Sequence, residues 1–254
     1  MNFITTRYDN VLDLLEEVVR RDPPVPTDLI ICSTRDEFLE QLLALVNHEE
    51  SDALAHAPAT QAQIDSESES IQTIAPTRKH MLLLPTLQLL NASRFCNLAF
   101  CPTTTTLRGY LAGYCRPTSP NASGSARSTS GWIFILDILA LHHGTSEFTL
   151  QGLSQTFATA VSAAFRTNRQ LGLVECKDIR DPSSPTRGPS LWSAEVQLLS
   201  SAIKIGEDGA TWGRRTVCVL TIAKRWFQVQ STEGKDEQTG RHHARVESAE
   251  EMLM

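Results

Sequence analysis

Apolar residues fall at helical spacing near the N-terminus, where Val11, Leu12, Leu14, Leu15, Val18 and Val19 share one stripe. Asp22-Pro23-Pro24 stops that helix. Asp28-Leu29-Ile30-Ile31-Cys32-Ser33 then has no polar alternation, as a strand buried on both faces requires. Ser33 or Thr34 can cap a helix from Arg35 to Val46, with Glu37 as the acid of a capping box. Further on, Pro85–Leu90 reads as a short helix, Cys96–Cys101 as a strand and Leu107–Tyr114 as a helix. Trp132-Ile133-Phe134-Ile135-Leu136-Asp137 is the strongest strand signal, an apolar run closed by one acid. A long helix over 147–170 follows, with Leu150, Leu153, Phe157, Val161, Ala164 and Phe165 inward, and then a strand at Leu171–Cys176.

After residue 190 the alternation changes. Leu191–Leu199, Arg215–Ile222 and Trp226–Gln230 have strand composition, with a turn at Gly206-Glu207-Asp208-Gly209. Strand–helix units followed by a meander predict an α/β fold: a mostly parallel twisted sheet with helices on both faces and C-terminal antiparallel strands. Residues 48–77 and 116–130 are polar and short of bulky apolar side chains, so both are expected to loop out. The chain divides into an N-terminal helix and linker at 1–27, a core at 28–230 with a disordered insertion at 48–77, and a disordered tail at 231–254.

The 254 residues are 41% hydrophobic, enough for a sizeable core. No apolar run approaches the roughly 18 residues of a membrane span. The first residues carry acids and no basic leader, which leads to an expected place in the nucleus, with the cytoplasm as alternative. The six cysteines are then reduced. None stands in a CxxC pair, and Cys96 and Cys101 lack partners at zinc spacing, so small buried apolar roles are expected and no metal.

Charge is uneven. The formal net charge of -6 argues against a nucleic-acid partner, yet residues 71–230 hold 16 basic against 8 acidic side chains. Residues 1–70 hold 4 against 15 and the tail 3 against 6, so a basic core lies between acidic flanks. Lys177, Arg180 and Arg187 fall in one loop, and Arg214, Arg215, Lys224 and Arg225 near the closing strands. Together they could neutralise phosphates without reading sequence. Trp226 could stack on a base, although core packing is the stronger reading for it and for Phe227.

The catalytic inventory is thin. Asp137 stands where a Walker B carboxylate would hold magnesium, but no G-x-x-x-x-G-K-[ST] loop exists to cradle phosphates. Gly-x-Ser-x-Gly is also absent. His142 and His143 follow the Asp137 strand, so a small α/β enzyme using Asp137 and His142 at the sheet's carboxyl edge is one alternative.

The run Trp132–Asp137, the following Leu139–Glu147 segment, the helix at 148–169 and the strand Leu171–Cys176 resemble the RecA-like recombinase core. Residues 177–190 would stand where that family carries its second DNA-binding loop, and Trp192–Leu199 with Arg214–Val229 would be its closing strands. The phosphate loop is missing, with Ser33–Glu37 in its place, so the resemblance is to the family's non-catalytic paralogues. It implies no catalytic residues, no cofactor, no small-molecule ligand, a sister paralogue as partner and DNA as a further one. Two such groups fit: the fungal Shu-type recombination mediator, and the RecA-like subassembly of Elongator, which acts in tRNA modification. Gly213-Arg214-Arg215-Thr216-Val217 and Lys224-Arg225-Trp226-Phe227 are closer to the first.

Overall fold

The structure is a computed structural model, and it describes residues 1–55, 80–115, 131–198 and 216–230. Helices α1 (Val11–Arg20), α2 (Arg35–Ala55), α3 (Leu87–Ser93), α4 (Thr104–Gly113), α5 (Ile138–His142), α6 (Leu150–Thr167) and α7 (Val219–Ala223) alternate with strands. The strands are β1 (Asn2–Thr5), β2 (Thr27–Ile31), β3 (Cys96–Phe100), β4 (Trp132–Leu136), β5 (Gln170–Val174), β6 (Glu195–Gln197), β7 (Thr216–Cys218) and β8 (Gln228–Gln230). Six of them form one sheet in the order β3-β2-β4-β5-β1-β8, parallel throughout. Strands β6 and β7 form a separate antiparallel pair.

Both faces of the central strands are buried, which is why β2 and β4 read as apolar runs without alternation. In β4, Phe134 and Leu136 point to the face covered by α1 and α2, where Leu12, Leu14, Val18, Phe38 and Leu45 meet them. Ile133 and Ile135 point to the other face, against Leu107 and Leu111 of α4, Leu153 and Phe157 of α6 and Ile222 of α7. The path β1→β2→β3 runs one way across the sheet and β3→β4→β5→β8 runs back. The connections after β2 and β4 therefore leave in opposite directions, and the crevice at their carboxyl ends is a topological switch point. Among the described residues no helix is long and apolar enough to cross a membrane.

Several expectations change. Residues 1–27 are not an appendage: β1 lies inside the sheet between β5 and β8, and α1 packs on it. Helix α2 runs on to Ala55, into the segment expected to be disordered from 48, while the rest of that insertion, the loop at 116–130, the Gly206–Gly209 turn and the tail lie outside the described residues. Of the strand expected over Leu191–Leu199, the described part, to residue 198, is mostly not strand. Pro189, directly after Gly188 at a φ of 90°, starts a 3-10 turn to Ser193, and only Glu195–Gln197 is extended. Thr216–Cys218 is strand, but Val219–Ala223 turns into α7, because Val219, Ile222 and Ala223 then meet the core on one side. The last strand, β8, joins the main sheet parallel to β1 rather than extending an antiparallel meander.

Candidate functional site

Strands β4 and β5 lie side by side, and each apolar run is followed by a carboxylate, Asp137 after the first and Glu175 just after the second. The two acids tie the elements together crosswise. Asp137 has a left-handed backbone, φ 60°, and its Oδ1 accepts from the Cys176 amide at 2.8 Å. Glu175 Oε1 accepts from the Leu139 amide at 2.7 Å and so caps the start of α5. Both side chains are buried, and Glu175 Oε2 has no hydrogen-bond partner.

Burial raises both carboxyls above their ordinary range; Asp137 pushes Glu175 further up, and Asp178 adds to the rise at Asp137. Arg187, from the 177–190 loop, stands above them with one nitrogen 3.8 Å from Asp137 and another 3.5 Å from Asp178. The site is a buried acid pair under a loosely held guanidinium, chemically suited to keeping a proton. Among the described residues, no group of three or more ligating side chains could hold a metal ion. Asp137 does stand at the carboxyl end of β4, but one of its carboxylate oxygens is turned to the backbone at Cys176, just past β5.

The cations of the expected DNA-binding loop all have carboxylate partners. Lys177 Nζ is 3.0 Å from Asp9, Arg180 reaches Asp178 at 3.4 Å and Glu40 at 3.6 Å, and Arg187 is paired as above. Lys224 and Arg225 do not join them. They lead into the amino end of β8, whereas the loop leaves from the carboxyl end of β5, so the two groups belong to opposite edges of a parallel sheet. Arg225 stacks on Trp226 at 5.4 Å, and Trp226 and Phe227 both pack on Phe157, at 6.1 and 5.6 Å between ring centres. Those aromatics serve the core. Arg214 and Arg215 lie outside the described residues.

His142 is fully buried, with Nε2 3.0 Å from Thr156 Oγ1 and Nδ1 3.2 Å from the Glu147 carbonyl. Burial lowers its pKa to about 4, and nearby Arg108 lowers it too. Both ring nitrogens are thus occupied in joining α5 to α6, and the ring is not offered to Asp137. His143 meets Phe148 edge-on at 5.3 Å.

Two of the helix starts that face the carboxyl edge, those of α1 and α2, are already filled. At α1, Asn10 Oδ1 accepts from the Asp13 amide at 3.0 Å, and Asp13 Oδ2 accepts from the Asn10 amide at 3.4 Å. At α2, Thr34 Oγ1 accepts from the Glu37 amide at 3.2 Å, and Glu37 Oε2 accepts from the Thr34 amide at 3.0 Å. These are two capping boxes, with acids where an anion would sit.

Comparison with family models, with curated proteins and with solved structures returned no match.

Two features went unread in the sequence. One is Glu175, although its signal was there: Leu171–Val174 is an apolar run closed by an acid, as Trp132–Leu136 is. The other is a cavity of about 170 Å³ beside α1, between Trp132, Phe134 and Gln230. Arg21 lies over the Trp132 ring at 5.1 Å there and pairs with Glu17 at 2.9 Å.

Proposed function

We propose that the chain is a non-catalytic RecA-like paralogue, a scaffold in homologous recombination repair that binds a sister paralogue and DNA in the nucleus. The observation that carries the non-catalytic part is the pair of capping boxes. A phosphate-binding turn needs free backbone N–H groups at a helix start. At α1 and α2 some of those groups are bonded to Asn10 and Thr34, and Asp13, Asp36 and Glu37 place negative charge beside them. The open edge of the sheet supports the partner. Among the described residues strand β3 pairs with β2 alone, and Leu87, Leu90 and Leu98 at this edge are more than half exposed.

DNA contact would run through Lys177 and Arg180, which are about half exposed and held only by surface pairs. Phosphate would have to displace carboxylates, so binding would be weak and steeply salt-dependent. The same ion pairing favours a second reading, a protein-only subunit such as those of the Elongator subassembly.

The test is fluorescence anisotropy with single-stranded and forked DNA at low and moderate salt, comparing wild type with Lys177→Ala/Arg180→Ala. Arg187 is left in place because it faces buried Asp137. Salt-sensitive binding that the double variant loses supports the recombination scaffold. Absence of binding at the lowest salt removes DNA from the proposal and leaves the protein-only subunit, to be followed by capture of the partner with Leu87→Asp/Leu98→Asp as the control.

A further inference from the structure

The parallel register of β2 and β3 sets Thr27 beside Cys96 and Ile31 beside Phe100. One residue further it sets Cys32 beside Cys101, and the Cys101 amide still donates to the Ile31 carbonyl at 2.8 Å, continuing the ladder. Four residues upstream in each strand, the lateral pair Asp28 and Asn97 meets side chain to side chain at 2.8 Å. Laterally paired residues of this phase therefore share a face, and Cys32 and Cys101 do lie in the same core cluster. Neighbouring strands run about 4.8 Å apart, inside the roughly 4.4–6.8 Å between Cα atoms that a disulfide spans. Both cysteines are free thiols.

We propose that Cys32 and Cys101 are a redox pair that hydrogen peroxide closes to a disulfide, pinning the edge strand β3 to the body of the sheet. The sulfur of Cys101 attacks one peroxide oxygen, the O–O bond breaks, and a sulfenic acid and one water result. The sulfur of Cys32 then displaces that hydroxyl, the S–S bond forms, and the two thiol protons leave in the two waters. The two electrons lost by the thiols reduce the peroxide. Cys101 is the attacking thiol because burial is the one influence raising its pKa. Cys32 is pushed well above its ordinary value by burial, with Glu175, Asp137 and Cys101 adding to it.

The edge position explains how peroxide gains access. Cys32 and Cys101 are 4% and 1% exposed, so oxidation must follow local opening of β3, which among the described residues has one neighbouring strand and has two exposed central residues. Exposed Cys115 reacts earlier for the same reason.

The experiment treats the full folded chain with dilute hydrogen peroxide, alkylates the remaining thiols, digests without reductant and maps the peptides by mass spectrometry. The expected result is a Cys32–Cys101 crosslinked peptide lighter by two hydrogens, absent after dithiothreitol and still present in Cys115→Ser. Thermal unfolding should shift upward on oxidation in wild type and not in Cys101→Ser. The proposal is overturned if both thiols are alkylated while Cys115 is oxidised. It is equally overturned if either stops at a sulfinic acid, or if the crosslink joins Cys101 to a different cysteine.

Discussion

The two ends of the sheet treat buried charge in opposite ways. At the amino end one carboxylate, Asp28, accepts from three donors: Arg169 Nη1 at 2.6 Å, Asn97 Nδ2 at 2.8 Å and the Tyr114 hydroxyl. The charge is matched and its hydrogen-bonding capacity is used. At the carboxyl end the guanidinium of Arg187 stands 3.8 Å from Asp137, no ion pair reaches Glu175 among the described residues, and Glu175 Oε2 accepts nothing. A buried pair in good geometry resists the loss of either member, whereas unmatched buried acids keep their protons and respond to pH. The amino end fastens β2, β3, β4 and β5 together. The carboxyl end, at the switch point, retains groups that can change state.

The largest test of this contrast is Arg169→Ala, which leaves Asp28 buried without its counter-charge. Unfolding in urea should reveal a loss of about 3–5 kcal/mol. Arg187→Ala should cost about 1 kcal/mol or less, since Asp137 can take up a proton instead. Equal losses would erase the distinction between the two ends.

Gly131→Ala comes next. A Cβ there would stand 2.6 Å from the Pro26 carbonyl oxygen and 3.3 Å from the Arg169 guanidinium. Forcing them apart should cost about 1–3 kcal/mol in the same unfolding measurement.

Glu175→Gln sharpens the comparison through pH. The Glu175 carboxyl in the folded chain lies well above its ordinary 4.5, so the folded chain holds that proton more tightly than the unfolded one. Its contribution to stability is full below 4.5 and declines as pH rises through the folded-state value. The glutamine variant still accepts from Leu139 and does not ionise. Denaturation at pH 4.5 and at pH 8 should therefore show wild type losing more stability than the variant over that interval. Parallel curves would mean Glu175 is not held protonated. The smallest effect is expected at Lys177→Ala, where breaking the exposed pair with Asp9 should change stability by about 0–1 kcal/mol.

Legibility in the sequence followed the range of the interactions. Helices α1 and α6 and strands β2 and β4 were readable because their apolar spacing is local, although Phe165, expected inward on α6, is 86% exposed, and the α2 capping box because Thr34 and Glu37 are three residues apart. Strand β1 was not, since Phe3 and Ile4 are a short signal and its partners are residues near 171 and 228. In α7 the β-branched Val219, Thr221 and Ile222 suggest strand, and only packing against α6 makes the segment helical. The positive loop was visible, and so was Asp178 inside it, which pairs with Arg180 and Arg187, but Asp9 and Glu40, which also pair with it, come from distant parts of the chain.

The interior position of β1 also governs when this protein can fold during synthesis. Its residues Asn2–Thr5 are made well before β5 and β8, yet they bond to both. A nascent chain can assemble the β3-β2-β4 part first, β1 can join only once β5 has emerged, and β8 completes the sheet after residue 230. Until β5 is made the first strand has only chaperones, or the wrong edge, to bind.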